Sequence, residues 1–183
     1  MQQIKSILVD SNNKLFEREG MMYKEFPSDF RQIRFFSLLI AQKAPCEIRE
    51  INLLDQQISE LIKNAVKHGN RNNINKKIKV WYFFNDTKAR LIVEDEGEGF
   101  KDLDYWNEFN KKRTICFFNK NYDEMAKYIS FRTDRSDDND GGNALFAAVE
   151  YWNGGVVFNN KKNAIAVYKI FSRQNPGLNI DKL

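Results

Sequence analysis

Residues 60–69 read E-L-I-K-N-A-V-K-H-G. Glu60, Asn64 and His68 recur at every fourth position, and on a helix that spacing stacks them along one stripe. Leu61, Ile62, Ala65 and Val66 fill the adjoining positions and point inward, and Gly69 and Asn70 end the helix. A carboxylate, an amide and an imidazole aligned beside an apolar face can form a site. The same pattern also describes an ordinary amphipathic helix, with a histidine favourably placed near its C-terminus. The rest of the chain decides between the two.

Working outward, residues 50–68 form the predicted helix, with Ile51, Leu54 and Ile58 extending its inner face. Upstream, residues 4–9 are a short β-type run closed by the turn Asp10-Ser11-Asn12-Asn13. Residues 21–26 predict a second strand ended by Pro27. Ser28 and Asp29 then cap a helix carried by Phe30, Ile33, Ser37, Leu38 and Ala41 and stopped by Pro45. Downstream of a polar loop at 69–75, runs 77–84 and 88–94 predict a hairpin across Asn85-Asp86-Thr87. Residues 101–140 are the least regular, and their aromatics predict short helices. A helix over 144–152 and strands over 156–158 and 164–171 follow, then a tail containing Pro176 and Gly177. Helices and antiparallel strands come in blocks rather than alternating, which predicts a two-layer α/β sandwich.

With 183 residues the chain is long enough for one domain with a real core. Hydrophobic residues at 42% and charged residues at 30% mark a soluble, globular composition. A net charge of +4 is too mild to argue for direct nucleic-acid binding, and no recognised motif supports it. No apolar run has membrane-span length and no signal peptide is visible, so a cytoplasmic location without membrane association is expected. Cys46 and Cys116 are too few for a disulfide framework or a zinc site, and both are expected as buried thiols. His68 is the single histidine, which excludes histidine-rich metal sites.

Two further stretches bear on chemistry. D-E-G-E-G-F at 95–100 follows a strand end, and its paired glycines let backbone approach a ligand closely. Asp95 is placed to accept from the exocyclic amine of a purine. G-G-N-A-L-F at 141–146 is a second glycine turn, opening a helix whose free N–H groups and dipole favour phosphate. Each is weak alone, but their order behind an E-x-x-x-N-A-x-x-H helix is distinctive.

In that order and spacing the chain resembles the GHKL (Bergerat-fold) ATP-binding domains over about residues 21–171. The 60–69 stretch and small size are most similar to the anti-sigma-factor serine/threonine kinase branch. The resemblance implies an α+β two-layer sandwich, with a mixed, mainly antiparallel sheet and helices packed on one face. It divides the chain into an N-terminal extension (1–20), the ATP-binding domain (21–171, with a lid at about 101–140) and a C-terminal tail (172–183). It implies ATP and Mg²⁺ as cofactors. Asn64 would hold the Mg²⁺, and Glu60 would be the general base acting on a serine hydroxyl of a partner, or on water. Asp95 would bind the adenine amine, with Gly97 and Gly99 shaping its pocket. His68, Arg132, Arg135, Gly141, Gly142, Asn143 and Ala144 complete the expected nucleotide-binding set.

The chain departs from the family in three places. Ala144 stands where a glycine is common, Asp137, Asp138 and Asp140 stand where basic residues are common, and Asn163-Ala164 replaces a Gly-Thr pair. Arg132 and Arg135 are the nearby basic substitutes. The implied function is an ATP-binding regulator that holds a sigma factor or similar client and phosphorylates a Ser/Thr of an antagonist domain, with a homodimer as its family-implied assembly. The alternative is a catalytically silent, ATP-sensing or partner-binding switch.

Overall fold

The centre of the sheet is the expected hairpin, Lys77–Phe84 (β3) paired antiparallel with Lys88–Glu94 (β4). Asn85 holds its turn: Oδ1 accepts from the Thr87 and Lys88 backbone N–H groups and from the Thr87 hydroxyl, at 2.8–3.0 Å. That anchoring fixes the register, which decides which side chains face the core. The computed structural model describes residues 5–46, 48, 50–132 and 142–171. Around the hairpin lie Leu8–Val9 (β1), Met22–Pro27 (β2), Gly155–Phe158 (β5) and Ala164–Ile170 (β6), in the order β1-β5-β6-β4-β3-β2. Strand β1 runs parallel to β5 and the other neighbours are antiparallel. The sheet is therefore mixed and mainly antiparallel.

Alternation along the strands sends Ile78, Val80, Tyr82, Leu91, Val93, Ile165 and Val167 into one core. Helices Ile33–Ala41 (α1), Ile51–Asn64 (α2) and Ala144–Tyr151 (α5) bury their apolar faces in it, through Phe36 and Ile40, Leu54, Ile58 and Ile62, and Phe146 and Val149. Each fully buried side chain of this size contributes roughly 1.5–3 kcal/mol. This is the α+β two-layer sandwich expected, consistent with a Bergerat-type fold.

The opposite face of the sheet also has cover. Ile92, Ala166 and Val157 lie on the row that continues from Trp81 across β4, β6 and β5, away from the helices, and are buried. The stretch around the 3₁₀ turn Lys14–Phe16 lies against this side. Arg90 donates to the Lys14 and Glu17 carbonyls at 3.2 and 2.6 Å. The Arg18 guanidinium lies 3.6 Å from the Trp81 ring centroid and pairs with Glu94 at 2.9 Å. The described part of residues 1–20 thus supplies an edge strand and a cover to the sheet.

The segment after β4 is more regular than its sequence suggests. Leu103–Phe118 (α3) is one 16-residue helix instead of several short ones, followed by Tyr122–Met125 (α4). Apolar residues sit all around α3: Leu103, Trp106 and Cys116 are buried, while Tyr105, Ile115, Phe117 and Phe118 are exposed, so no helical period shows. Leu103 and Trp106 anchor it in the core, and polar pairing fastens it to the N-terminal segment. Asn107 both accepts from the Ile7 N–H and donates to the Ile7 carbonyl at 2.9 Å, and Asn110 donates to the Lys5 carbonyl at 2.7 Å. Cys116 is buried as expected, but Cys46, in the turn after Pro45, is exposed. Among the described residues no helix is long and apolar enough to cross a membrane. Arg135, Gly141, the acidic positions 137, 138 and 140, and the tail from 172 onward lie outside the described residues.

Candidate functional site

Helix α2 does not end as a plain α-helix. Residues Ala65–Gly69 form a π-turn, in which the Asn70 N–H donates to the Ala65 carbonyl at 2.8 Å. Such widened turns recur at functional sites. Glu60, Asn64 and His68 all line one cavity of about 720 Å³, so the stripe expected from their spacing survives the wider last turn. Across the cavity stand Asp95, Gly99 and Phe100 from the turn after β4, and Gly142, Asn143 and Ala144 at the start of α5. The stretches that sequence order linked are thereby brought together on one wall system.

Asp95 is built in from several sides. The Gly97 N–H donates to Asp95 Oδ1 at 2.7 Å. The Asp95 N–H donates to the Asn163 carbonyl at 2.9 Å, and Asn163 Nδ2 returns a bond to the Asp95 carbonyl at 2.6 Å. At Gly69 a methyl group would overlap the Asp95 carboxylate, so only glycine allows the π-turn to approach this closely. Burial pushes the Asp95 pKa up from 3.8 to about 6. The Gly97 N–H bond, Lys161 and Lys76 work against that rise, and Glu94 adds to it. A carboxylate in such surroundings lacks water and is receptive to a donor from a ligand.

At the far end, Gly142 adopts φ +65°, packed so tightly on Ser130 and Phe131 that a side chain would overlap them. It turns the chain into α5, whose first residues face the cavity. The Asn143 side chain makes no cap to the helix N–H groups. An eight-residue helix beginning there offers unpaired N–H groups and the positive end of its dipole. The Asn64 amide oxygen on α2 is a hard donor of the kind that Mg²⁺ takes, and Glu60 stands one turn before it.

The remaining expected residues divide. Gly97 lies beneath Asp95 instead of on the cavity surface, and Arg132 is exposed and does not line it. Cations enter from elsewhere: Lys63 and Lys67 of the central stretch, with Arg71, Lys101 and Lys162, line the cavity. Sequence reasoning looked for them before the glycine turn and passed over the two lysines flanking Asn64. It read Asn70 only as the end of the helix and Asn163 only as part of a departure from the family, and assigned neither to the site. Asn70 is 1% exposed, donates to the Lys77 carbonyl at 2.9 Å and accepts from the Glu96 N–H at 2.8 Å, tying the end of α2 to the Asp95 turn. Gln57 and Trp106 are two more wall residues, and each carries a buried polar atom, Oε1 and Nε1, that finds no hydrogen-bond partner among the described residues.

No family model matches the chain. Over 68 residues, 37% of its length, it is 35% identical to the anti-sigma F factor of Shouchella clausii (strain KSM-K16). The matched stretch spans 46% of that protein, less than half of its length.

Proposed function

We propose that the protein is an ATP-binding regulator of the anti-sigma type, which holds a sigma factor or similar client and transfers phosphate from ATP to a Ser/Thr of an antagonist. The observation behind this reading is that the α2 stripe, the buried Asp95 and the opening of α5 line a single cavity. Similarity to an anti-sigma F factor supports the choice of partner. Asp95 would accept from the adenine amine, the selective contact in a pocket otherwise shaped by backbone. The N–H groups at 142–145 and the wall lysines would face the phosphates. Asn64 would hold Mg²⁺, which supplies neutralisation of the charge on the transferring phosphoryl group. Glu60 would receive the proton of the acceptor hydroxyl, with the Lys63 ammonium 3.6 Å from its carboxylate. Phosphate added to an antagonist interface would break that complex through charge.

Tyr105, Phe117, Phe118 and Tyr122 are exposed along α3 and α4 and suit a client-binding surface. A homodimer is the assembly we propose with it. A catalytically silent switch is the second reading, favoured by Arg132 standing away from the cavity. Calorimetric titration with ATP and ADP, with and without Mg²⁺, tests both on wild type and Asn64→Ala. Mg²⁺-dependent ATP binding lost in Asn64→Ala is expected, and absence of binding to folded wild-type protein refutes an ATP site. Binding without transfer to any client-associated protein selects the silent switch.

A further inference from the structure

Val93 and Ile165, paired across β4 and β6, line the end of the cavity that also holds Asp95, Gly99 and Phe100. Asn163 stands beside them, but both ends of its amide are engaged. Nδ2 donates to the Asp95 carbonyl at 2.6 Å, and Oδ1 accepts from Asn159 Nδ2 at 3.0 Å. Reading a base at this end therefore falls to the Asp95 carboxyl group.

The two oxygens of that carboxyl differ. Oδ1 accepts from the Gly97 N–H at 2.7 Å, whereas Oδ2 accepts no hydrogen bond among the described residues. Oδ2 is not one of the buried polar atoms left without a partner, so it keeps access to the cavity. Asn163 clasps the Asp95 backbone at its N–H and carbonyl, and Gly69 of the π-turn packs against the carboxyl, so the group holds this orientation. What Oδ2 presents to a ligand then depends on one proton. Ionised, it accepts and pairs with the 6-amino group of adenine; neutral, it carries an O–H and donates. A 6-oxopurine such as hypoxanthine has a carbonyl acceptor at the same position. Two facing acceptors, or two facing donors, leave both groups desolvated and unpaired, and a site rejects that mismatch strongly.

We propose that Asp95 selects the purine by its protonation state: the carboxylate holds 6-aminopurine nucleotides, and the neutral acid holds 6-oxopurine nucleotides. This rests on the ATP reading of the cavity. The surroundings bring the exchange within reach of ordinary pH. Burial is the main cause that raises the Asp95 pKa to about 6, with Glu94 adding to it, against the Gly97 N–H bond, Lys161 and Lys76. The other charged or titratable groups on the elements around it are Glu60 of α2, Lys67 and His68 of the π-turn, Glu96 and Glu98 of its own turn, and Lys162. These act alike on two nucleotides that differ only in the base, so comparing such a pair isolates the carboxyl. Adenine nucleotide affinity falls as pH drops through 6, and 6-oxopurine affinity rises.

The test is calorimetric titration of the full chain with ATP and with inosine triphosphate (ITP), each with Mg²⁺, at pH 5, 6 and 7.5. Wild type and Asp95→Asn are compared. About nine-tenths of the carboxyl is neutral at pH 5 and only a few per cent at pH 7.5. In wild type, ATP is expected to bind roughly tenfold more weakly at pH 5 than at pH 7.5, and ITP roughly tenfold more tightly, so their ratio moves by roughly a hundredfold. In Asp95→Asn the amide oxygen takes the Gly97 N–H and the NH₂ faces the cavity. That variant should prefer ITP at every pH, with a ratio that does not move, a result that loss of structure does not produce. A pH-independent ratio in wild type that binds ATP overturns the proposal alone. So does ITP binding equal to ATP binding at pH 7.5, which would mean that the base slides to offer its N1–H, and so does a variant that still prefers ATP. Failure of wild type to bind either nucleotide at any of these pH values removes the underlying reading as well.

Discussion

Replacing Asp95 with asparagine should make the ligand-free protein more stable and the nucleotide complex weaker. The ionised carboxylate is held in a site that disfavours it, its pKa raised from 3.8 to about 6. At about 1.4 kcal/mol for each tenfold change in proton affinity, the ionised form costs about 3 kcal/mol of stability at neutral pH. The sign follows from proton binding. Between pH 4 and 6 the folded state holds a proton that the unfolded state has released, so stability falls as pH rises through that window and levels off above it. The amide introduced by Asp95→Asn keeps an acceptor for the Gly97 N–H and has no charge to desolvate. Unfolding by urea at pH 4, 5, 6 and 7 should therefore show the two proteins nearly equal at pH 4. They should differ by about 2–3 kcal/mol in the variant's favour at pH 7, or roughly 4–12 °C in thermal midpoint. Calorimetry at pH 7 should show ATP affinity lower by roughly tenfold to a hundredfold, the loss of one charge-assisted hydrogen bond. Equal stabilities at pH 7, or a wild type whose stability does not fall from pH 4 to 6, would refute the desolvation argument. Unchanged ATP affinity would sink the adenine contact while leaving the electrostatics intact. The opposition of stability and binding at one residue is characteristic of a site whose polar group awaits a ligand.

Other substitutions test neighbouring parts of the argument. Glu60→Gln should retain ATP binding within about threefold and lower phosphate release at least a hundredfold; loss of binding in a folded variant would assign Glu60 a different role. Gly69→Ala should force the π-turn away from Asp95, lowering both the thermal midpoint and nucleotide affinity, and a fully functional variant would show that the close approach there is dispensable. Asn107→Ala removes both partners of the Ile7 backbone, so stability should fall by about 1–3 kcal/mol. Limited proteolysis should then cut first near the N-terminus, and an unchanged cleavage pattern would mean that β1 is held by other contacts.

The features legible in the chain alone were local ones. The hairpin across Asn85–Thr87, the helix carrying Glu60 and Asn64, and the glycine turns at 97–99 and 142 depend on periodicity, capping and turn chemistry within a dozen residues. Each could be read with near-correct boundaries. The relation between them came from long-range packing. No local signal says that Gly69 must touch Asp95, that Asn163 clasps the same aspartate, or that Asn70 bridges α2 to the Glu96 backbone, because these contacts join segments far apart in the chain. Gln57 reads as an ordinary polar position between Leu54 and Ile58, and becomes distinctive only when the cavity wall buries its carbonyl. The cover on the far side of the sheet was equally hidden, since the alternation of β3 and β4 shows that both faces carry bulk but not which segment covers the second. There the pairing of Arg90 and Arg18 with carbonyls, a ring and a carboxylate decided the answer. Periodicity and turn propensity act through neighbours along the backbone, whereas burial depends on every element that packs nearby. The chemical groups of the site were therefore written in the sequence, and their protonation, pairing and common cavity were decided by the fold.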